Sequence, residues 1–310
     1  MTNPVLNSRE GWTRTTIAIT GSSGLIGSAL IPVLERYGHE IRTLVRRPAR
    51  TPLEISWDPD HGSIDAARLE GVDAVVHLAG ETLGQRWTDD VKRRARDSRV
   101  KSTTLLARTL ASLATKPSVL LSGSAIGIYG NRGDESLDEA SALGDDFLAS
   151  ICKEWEAAAS PAADAGIRVV NLRTGLVLSS RGGALEKMLI PFRMGVGGPM
   201  GNGRQWMSWI SMSDYVRTIG FLIRADTLAG PVNLVAPNPV TNTEFTHALG
   251  HVLSRPALVT VPKFALRLAM GEMVDATILA SQRVRPRRLL EGGFDFKFPT
   301  VESALRAELA

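Results

Sequence analysis

Short β-branched or apolar runs alternate with longer amphipathic stretches through the first half of the chain. Thr16-Ile17-Ala18-Ile19 reads as a strand, and an apolar helical stretch follows it to Tyr37-Gly38. Residues 39–45 form a second predicted strand after the Gly38 helix stop, and residues 72–80 a third with a glycine exit. Residues 118–122 and 168–172 read as further buried strands. A helix is predicted over 88–113, charged at first (Lys92, Arg93, Arg94, Arg96) and apolar later (Leu105, Leu106, Leu110). Another is predicted over 145–165, where Phe147, Ile151 and Trp155 share one face. Strands alternating with helices imply an α/β fold with a doubly wound parallel sheet covered on both faces. Right-handed crossovers place the turn after the first strand at the carboxyl ends of the strands.

Past Val177 the pattern changes. Gly182, Gly183, Gly195, Gly197, Gly198, Gly201 and Gly203 crowd together with Pro191 and Pro199, giving a loop-rich stretch with a helix near 185–194. Ser213 is the expected N-cap of a helix over 213–225, and residues 231–236 suit a strand returning to the main sheet. Helices are expected over 243–253, 262–270 and 272–283, and a last one from Thr300. The division is a tail over residues 1–14, a larger α/β domain over 15–180 and a smaller C-terminal cap over 181–310. The tail is polar and aperiodic, which suits a flexible end or the remnant of a linker to a fused or adjacent N-terminal domain.

Composition narrows this little. With 44% hydrophobic and 22% charged residues the 310-residue chain has the make-up of a soluble globular protein. The net charge of +4 is spread over many arginines, which suits an anionic ligand. No long basic run with interleaved aromatics favours nucleic acid. The uncharged run over 15–34 contains glycines, serines and Pro32, so it suits strand, turn and helix better than a membrane span. Cys152 is the only cysteine; no intrachain disulfide is possible, and with no secretion signal a cytoplasmic location is expected.

The chemistry begins at Thr20-Gly21-Ser22-Ser23-Gly24-Leu25-Ile26-Gly27, between the first strand and its helix. There, backbone N–H groups face the phosphates of a dinucleotide, and glycine lets the backbone approach. About 20 residues on, where an acid would bond the ribose of NAD, stand Arg46 and Arg47. Guanidinium groups pair with a 2′-phosphate, so NADP (NADPH) is favoured over NAD; as an alternative both are solvated strand-end charges. Leu78, Ala79 and Gly80 end the third strand with small residues that suit a cofactor lying close, or a simple exit turn.

Together these residues resemble the extended short-chain dehydrogenase/reductase superfamily, the NAD(P)-dependent epimerase/dehydratases. The chain is most similar to the atypical, sugar-nucleotide-epimerase-like branch of SulA type. The resemblance runs over residues 16–309. It is carried by Trp57-Asp58-Pro59, Leu78-Ala79-Gly80-Glu81, Asp97-Ser98-Arg99-Val100 and Leu172-Arg173-Thr174-Gly175-Leu176-Val177-Leu178. Further along, Gly203-Arg204-Gln205-Trp206-Met207-Ser208-Trp209-Ile210 and Ser281-Gln282-Arg283-Val284 continue it. It implies a cofactor-binding Rossmann domain with a substrate cap, and places Glu81 and Arg99 near the cofactor. Relatives often pair through the long helices of the Rossmann domain, which leaves a homodimer open.

The resemblance also implies a Ser/Thr, Tyr and Lys set, in which a phenol tuned below its ordinary pKa moves the proton that accompanies hydride transfer. Ser124 occupies the hydroxyl position, with Ser122 just before it as a cofactor contact, and Lys153 takes the lysine position as catalytic cation and ribose contact. The tyrosine position, four residues before the lysine, holds Ala149. Tyr129 matches a Tyr-Gly turn seen in relatives. The expectation is an epimerase/reductase-like protein with a nucleotide-sugar-like or other small carbonyl or hydroxyl substrate, lacking the usual acid/base. The alternatives are a non-catalytic NADP-responsive module, and an active epimerase using another acid or base. Arg204 and Trp206 are candidate substrate contacts, Arg204 for a phosphate and Trp206 by stacking. His77, His247 and His251 lack the spacing and partners of a metal site, so no metal is assigned.

Overall fold

Ile17 and Ile19 alternate with Ala18 along the first strand, so its side chains enter two separate cores, one on each face of a sheet. The computed structural model describes residues 14–310, so residues 1–13 of the expected tail lie outside it. The strands in chain order are β1 (Thr16–Thr20), β2 (Glu40–Val45), β3 (Glu54–Asp58), β4 (Ser63–Ile64), β5 (Ala74–His77) and β6 (Val119–Ala125). They continue with β7 (Ser136–Leu137), β8 (Arg168–Thr174), β9 (Leu176–Leu178), β10 (Trp206–Met207) and β11 (Trp209–Ser211). The last are β12 (Gly230–Leu234), β13 (Val240–Thr241) and β14 (Arg283–Val284). Eight of them form one sheet in the order β12-β8-β6-β5-β1-β2-β3-β4, parallel except for the β3–β4 pair. The strand order reverses at β1, flanked by β2 and β5. That is the switch point outside whose carboxyl ends open α/β sheets bind ligands.

The main helices are α1 (Leu25–Arg36), α2 (Asp89–Ser112), α3 (Phe147–Ala157), α4 (Ser160–Asp164), α5 (Gly183–Arg193) and α6 (Met212–Arg224). After them come α7 (Asn242–Leu253), α8 (Lys263–Met270), α9 (Met273–Ala276), α10 (Arg287–Glu291) and α11 (Val301–Leu309). Leu30 and Leu34 of α1 with Tyr215 and Ile219 of α6 cover one face of the sheet. Leu106 and Leu110 of α2 with Ala162 of α4 cover the other. Residues after 180 thus supply both α6 and the edge strand β12 to the main sheet. The cap has its own core, in which Leu185, Leu189, Trp209, Phe245, Leu249 and Leu305 pack together.

Several expectations are corrected. Residues 145–165 form two helices, because Pro161 has no N–H to continue α3 and starts α4 instead. The helix expected over 272–283 is only the short α9, and Arg283–Val284 is a strand paired with β7. Ser211, not Ser213, caps α6; its hydroxyl accepts from the Asp214 N–H at 3.0 Å. β3 and β4 add to the expected strands; their apolar signal is little more than Ile55 and Trp57, both buried.

Candidate functional site

At the end of β1, Gly21 has φ +67°, and a Cβ there would lie 2.9 Å from the Leu78 carbonyl carbon and oxygen at the end of β5. Gly27 faces the same turn from inside α1. A Cβ at that position would fall on the Gly21 carbonyl oxygen and 2.8 Å from Ser22 Cα. The turn is therefore closed on itself and against β5 in a way only glycine permits. Gly24 is the N-cap of α1, with no side chain capping that end and no acid in the first turn. Side chains do cap α2, α3, α6, α7 and α11. The α1 end thus offers N–H groups and positive potential to an anion, with Ser23 exposed beside it.

Beneath the β5 exit is a buried polar floor. Thr20 Oγ1 accepts from the N–H groups of Leu78 (3.0 Å) and Ala79 (3.1 Å). Its proton therefore goes to His77 Nδ1 at 2.7 Å, and His77 Nε2 carries the proton that faces Thr103 Oγ1 at 2.9 Å. Burial pushes the His77 pKa down to about 4. An unfolded histidine takes up a proton near 6.5, whereas the folded one resists it until about 4. Stability present above 6.5 is therefore lost as pH falls towards 4, with a loss of about 2 kcal/mol between about pH 7 and about pH 5. Urea denaturation at the two pH values should show His77→Gln lacking this part of the slope. Equal slopes in variant and wild type would contradict the assignment.

Beyond Ala79 the chain runs over Arg99. Arg99 Nη1 donates to the carbonyls of Glu81 (3.0 Å) and Ala95 (2.9 Å), and its guanidinium stacks on Trp155 at 5.0 Å. Gly80 fits above it, since a Cβ would come 3.4 Å from Arg99 Cζ. Glu81 is held by Arg94 at 3.1 Å.

The two arginines after β2 differ. Arg47 is clamped by both oxygens of Glu54, at 2.5 and 2.8 Å. The Arg47 hydrogen bond holds the Glu54 pKa at about 2, so this pair stays ionised. Arg46 is exposed at the strand end.

On β6, Ser122 and Ser124 share a face. Ser122 is fully buried, its Oγ without a hydrogen-bond partner. Ser124 Oγ donates to Glu156 Oε1 at 2.7 Å. Glu156 is gripped by Arg173 through Nε (2.8 Å) and Nη2 (3.0 Å). Arg173 also donates to the Tyr129 hydroxyl at 3.0 Å, and Tyr129 donates to Asn233 Oδ1 at 2.7 Å. Burial works against the Arg173 charge, but the Glu156 hydrogen bond and charge outweigh it and raise its pKa. Burial raises the Tyr129 pKa, despite Arg173, so this phenol is a fixed donor. Ala149 is fully buried on α3, in the row with Cys152 and Glu156 that faces β6. Burial pushes the Cys152 thiol up to about 12, which keeps it neutral. Lys153 lies beside that row and is exposed. The sequence pattern does not single out Glu156 or Asn233, and Arg173 stands in it only as part of the stretch 172–178; in the fold it lies within β8.

In the cap, Trp206 Nε1 donates to Asp134 Oδ1 at 2.9 Å, and the Arg283 guanidinium stacks on its ring at 4.3 Å. The Gln282 N–H donates to the Trp206 carbonyl at 3.1 Å, and Gln282 Nε2 reaches the carbonyls of Ile126 and Gly130. Two separate motifs thus lock onto the turn after Tyr129. Trp209 is core, while Arg204 is exposed. Among the described residues no group of three or more His, Cys, Asp or Glu is placed to hold a metal ion.

Residues 17–234 match the NAD dependent epimerase/dehydratase family, and residues 261–308 match DUF1731, a domain of unknown function. Epimerase family protein Mb2239 of Mycobacterium bovis is 44% identical over 290 residues, covering 93% of this chain and 96% of the relative. The crystal structure of human epimerase family protein SDR39U1 with NADPH aligns with a TM-score of 0.87 at 34% identity, covering 94% of this chain and 98% of that one. The structure of the nucleoside-diphosphate sugar epimerase from Corynebacterium glutamicum aligns at 0.77 and 39% identity, with 96% of this chain and 58% of that one covered.

Proposed function

The chain belongs to the NAD dependent epimerase/dehydratase family, and from that premise we propose that it binds NADP(H) and transforms a small carbonyl or hydroxyl substrate of nucleotide-sugar type. The observation that carries the proposal is the glycine turn, sealed against Leu78 and opening onto the uncapped start of α1. Residues Gly21, Ser22, Ser23, Gly24, Leu25, Ile26 and Gly27 hold the diphosphate. The segment Leu78-Ala79-Gly80-Glu81, braced by Arg99, borders the adenosine side. Arg46 meets the 2′-phosphate, because Arg47 is already committed to Glu54. The human relative crystallised with NADPH supports this choice of nucleotide.

When bound, the nicotinamide supplies or accepts hydride. Ser124, its hydroxyl proton directed to Glu156, positions a substrate hydroxyl by accepting from it, and the Glu156–Arg173 pair holds Ser124 in that orientation. Lys153 binds ribose hydroxyls from the exposed edge of α3, and Ala149 leaves no titratable group in the usual proton-carrier position. Arg204 and Trp206 serve the substrate from the cap. A non-catalytic, NADP-responsive module is the second reading, favoured by the fully buried methyl of Ala149. Turnover of a carbonyl substrate that disappears in Ser124→Ala would exclude it.

Arg46→Asp tests the cofactor assignment. Losing a charge-assisted contact and gaining a repulsive charge should weaken NADPH binding about 10- to 100-fold. NADH binding should change little. Equal loss for both nucleotides, read by quenching of protein fluorescence, would remove Arg46 from the 2′-phosphate.

A further inference from the structure

Six of the eight residues of α8 are apolar, and none is buried. A helix that is apolar all round is ordinarily found inside a protein. A helix this short keeps its shape through packing rather than propensity. Phe264 and Leu268, four residues apart and so on one face, are 73% and 79% exposed. The two cations of α8, Lys263 and Arg267, are both drawn to Asp275 on α9, at 3.1 and 2.7 Å. The apolar surface continues past the helix. Leu258, 82% exposed, and Val259 precede it, and Ile190, Met194 and Val196 stand exposed at the end of α5. The two stretches run side by side. The Val259 N–H donates to the Gly197 carbonyl at 3.3 Å, and the Val261 N–H to the Pro199 carbonyl at 2.8 Å. Together these seven residues expose about as much as four and a half free residues, on the order of 800 Å². Monomers rarely leave so large an apolar patch in water. It is also the area that each partner gives to an interface of standard size.

The long helices offer no such surface. Among the described residues, no large apolar side chain of α2 or α3 is exposed. Their outer charges are paired instead: Lys101 with Asp97 at 3.1 Å, Arg96 with Glu154 across the two helices, and Arg93 and Arg94 with Asp90. We infer that the chain forms a homodimer through its cap, with α8 and the 258–261 strip of one copy packed on the same surface of the other. A two-fold axis crossing α8 sets Phe264 of each copy against Leu268 of the other, so one patch serves both sides. With both its cations committed to Asp275, α8 keeps none to meet anionic headgroups, which favours a protein face over a lipid surface.

The test is sedimentation velocity of the full chain over about 1–100 µM. Wild type should run as a dimer with a Kd of about 10 µM or tighter. Phe264→Glu combined with Leu268→Glu sets like charges against each other and should weaken pairing at least about 100-fold. Phe264→Ala combined with Leu268→Ala adds no charge and should weaken it about tenfold or more, which covers the case in which the glutamates disturb the helix. Lys101→Glu combined with Arg108→Glu, on α2, should leave pairing as it is. A wild type that stays monomeric at about 100 µM would overturn the inference. So would a dimer that persists in both α8 variants, or one that is lost in the α2 variant. A monomer that sediments with vesicles of phosphatidylcholine and phosphatidylglycerol would overturn it in favour of a lipid surface.

Discussion

Gly27→Ala is expected to cost at least about 100-fold in NADPH affinity, roughly 2.7 kcal/mol. The methyl would fall on the Gly21 carbonyl oxygen and press on Ser22 Cα, both backbone, so no side chain can swing away. Helix propensity pulls the other way, since alanine inside a helix gains about 1 kcal/mol over glycine. Overpacking against fixed atoms costs about 1–3 kcal/mol, so the steric effect wins. Gly21 is itself packed against β5, where a Cβ would lie 2.9 Å from the Leu78 carbonyl. The turn must open, and the N–H groups that face the phosphates move with it. Circular dichroism should show the fold retained while titration shows the affinity lost. Binding within about threefold of wild type would mean that the turn does not hold the diphosphate.

Glu156→Leu should destabilise the chain by about 3–5 kcal/mol. Arg173 is 4% exposed, and without Glu156 its charge is buried with no counter-charge beside it. Ser124 would lose its acceptor as well. Adding Arg173→Met should return part of the stability, because removing both charges ends the uncompensated burial. Urea denaturation of the two singles and the double measures this directly. A Glu156→Leu cost below about 1 kcal/mol would place the pair in an environment far wetter than its burial implies.

What was legible in the sequence is what has a local cause. Strands β1, β2, β5, β6 and β8 announce themselves by β-branched or apolar runs, and the glycine turn by its spacing, with Gly24 and Gly27 meeting atoms of the turn itself while Gly21 closes on Leu78. The clamp on Arg47 was nearly local, seven residues from Glu54, yet a charge count could not separate it from Arg46. The network under Ser124 was not legible. Tyr129 and Asn233 stand 104 residues apart, and Ser124 and Glu156 stand 32 apart, so only the packed sheet and α3 bring them together. The apolar spacing of residues 272–283 suits a helix, while pairing with β7 decides the outcome for Arg283 and Val284. The catalytic triplet inferred from resemblance also changes character in three dimensions. Ser124 is joined to Glu156 and Arg173, and Lys153 is exposed.

The central claim is that the closed glycine turn and the open end of α1 hold the diphosphate of NADP(H). Isothermal calorimetry of the wild-type chain with NADPH tests it most directly. A single saturable site with a Kd of about 10 µM or tighter is predicted, with NADH weaker. No saturable heat up to about 1 mM NADPH would contradict it.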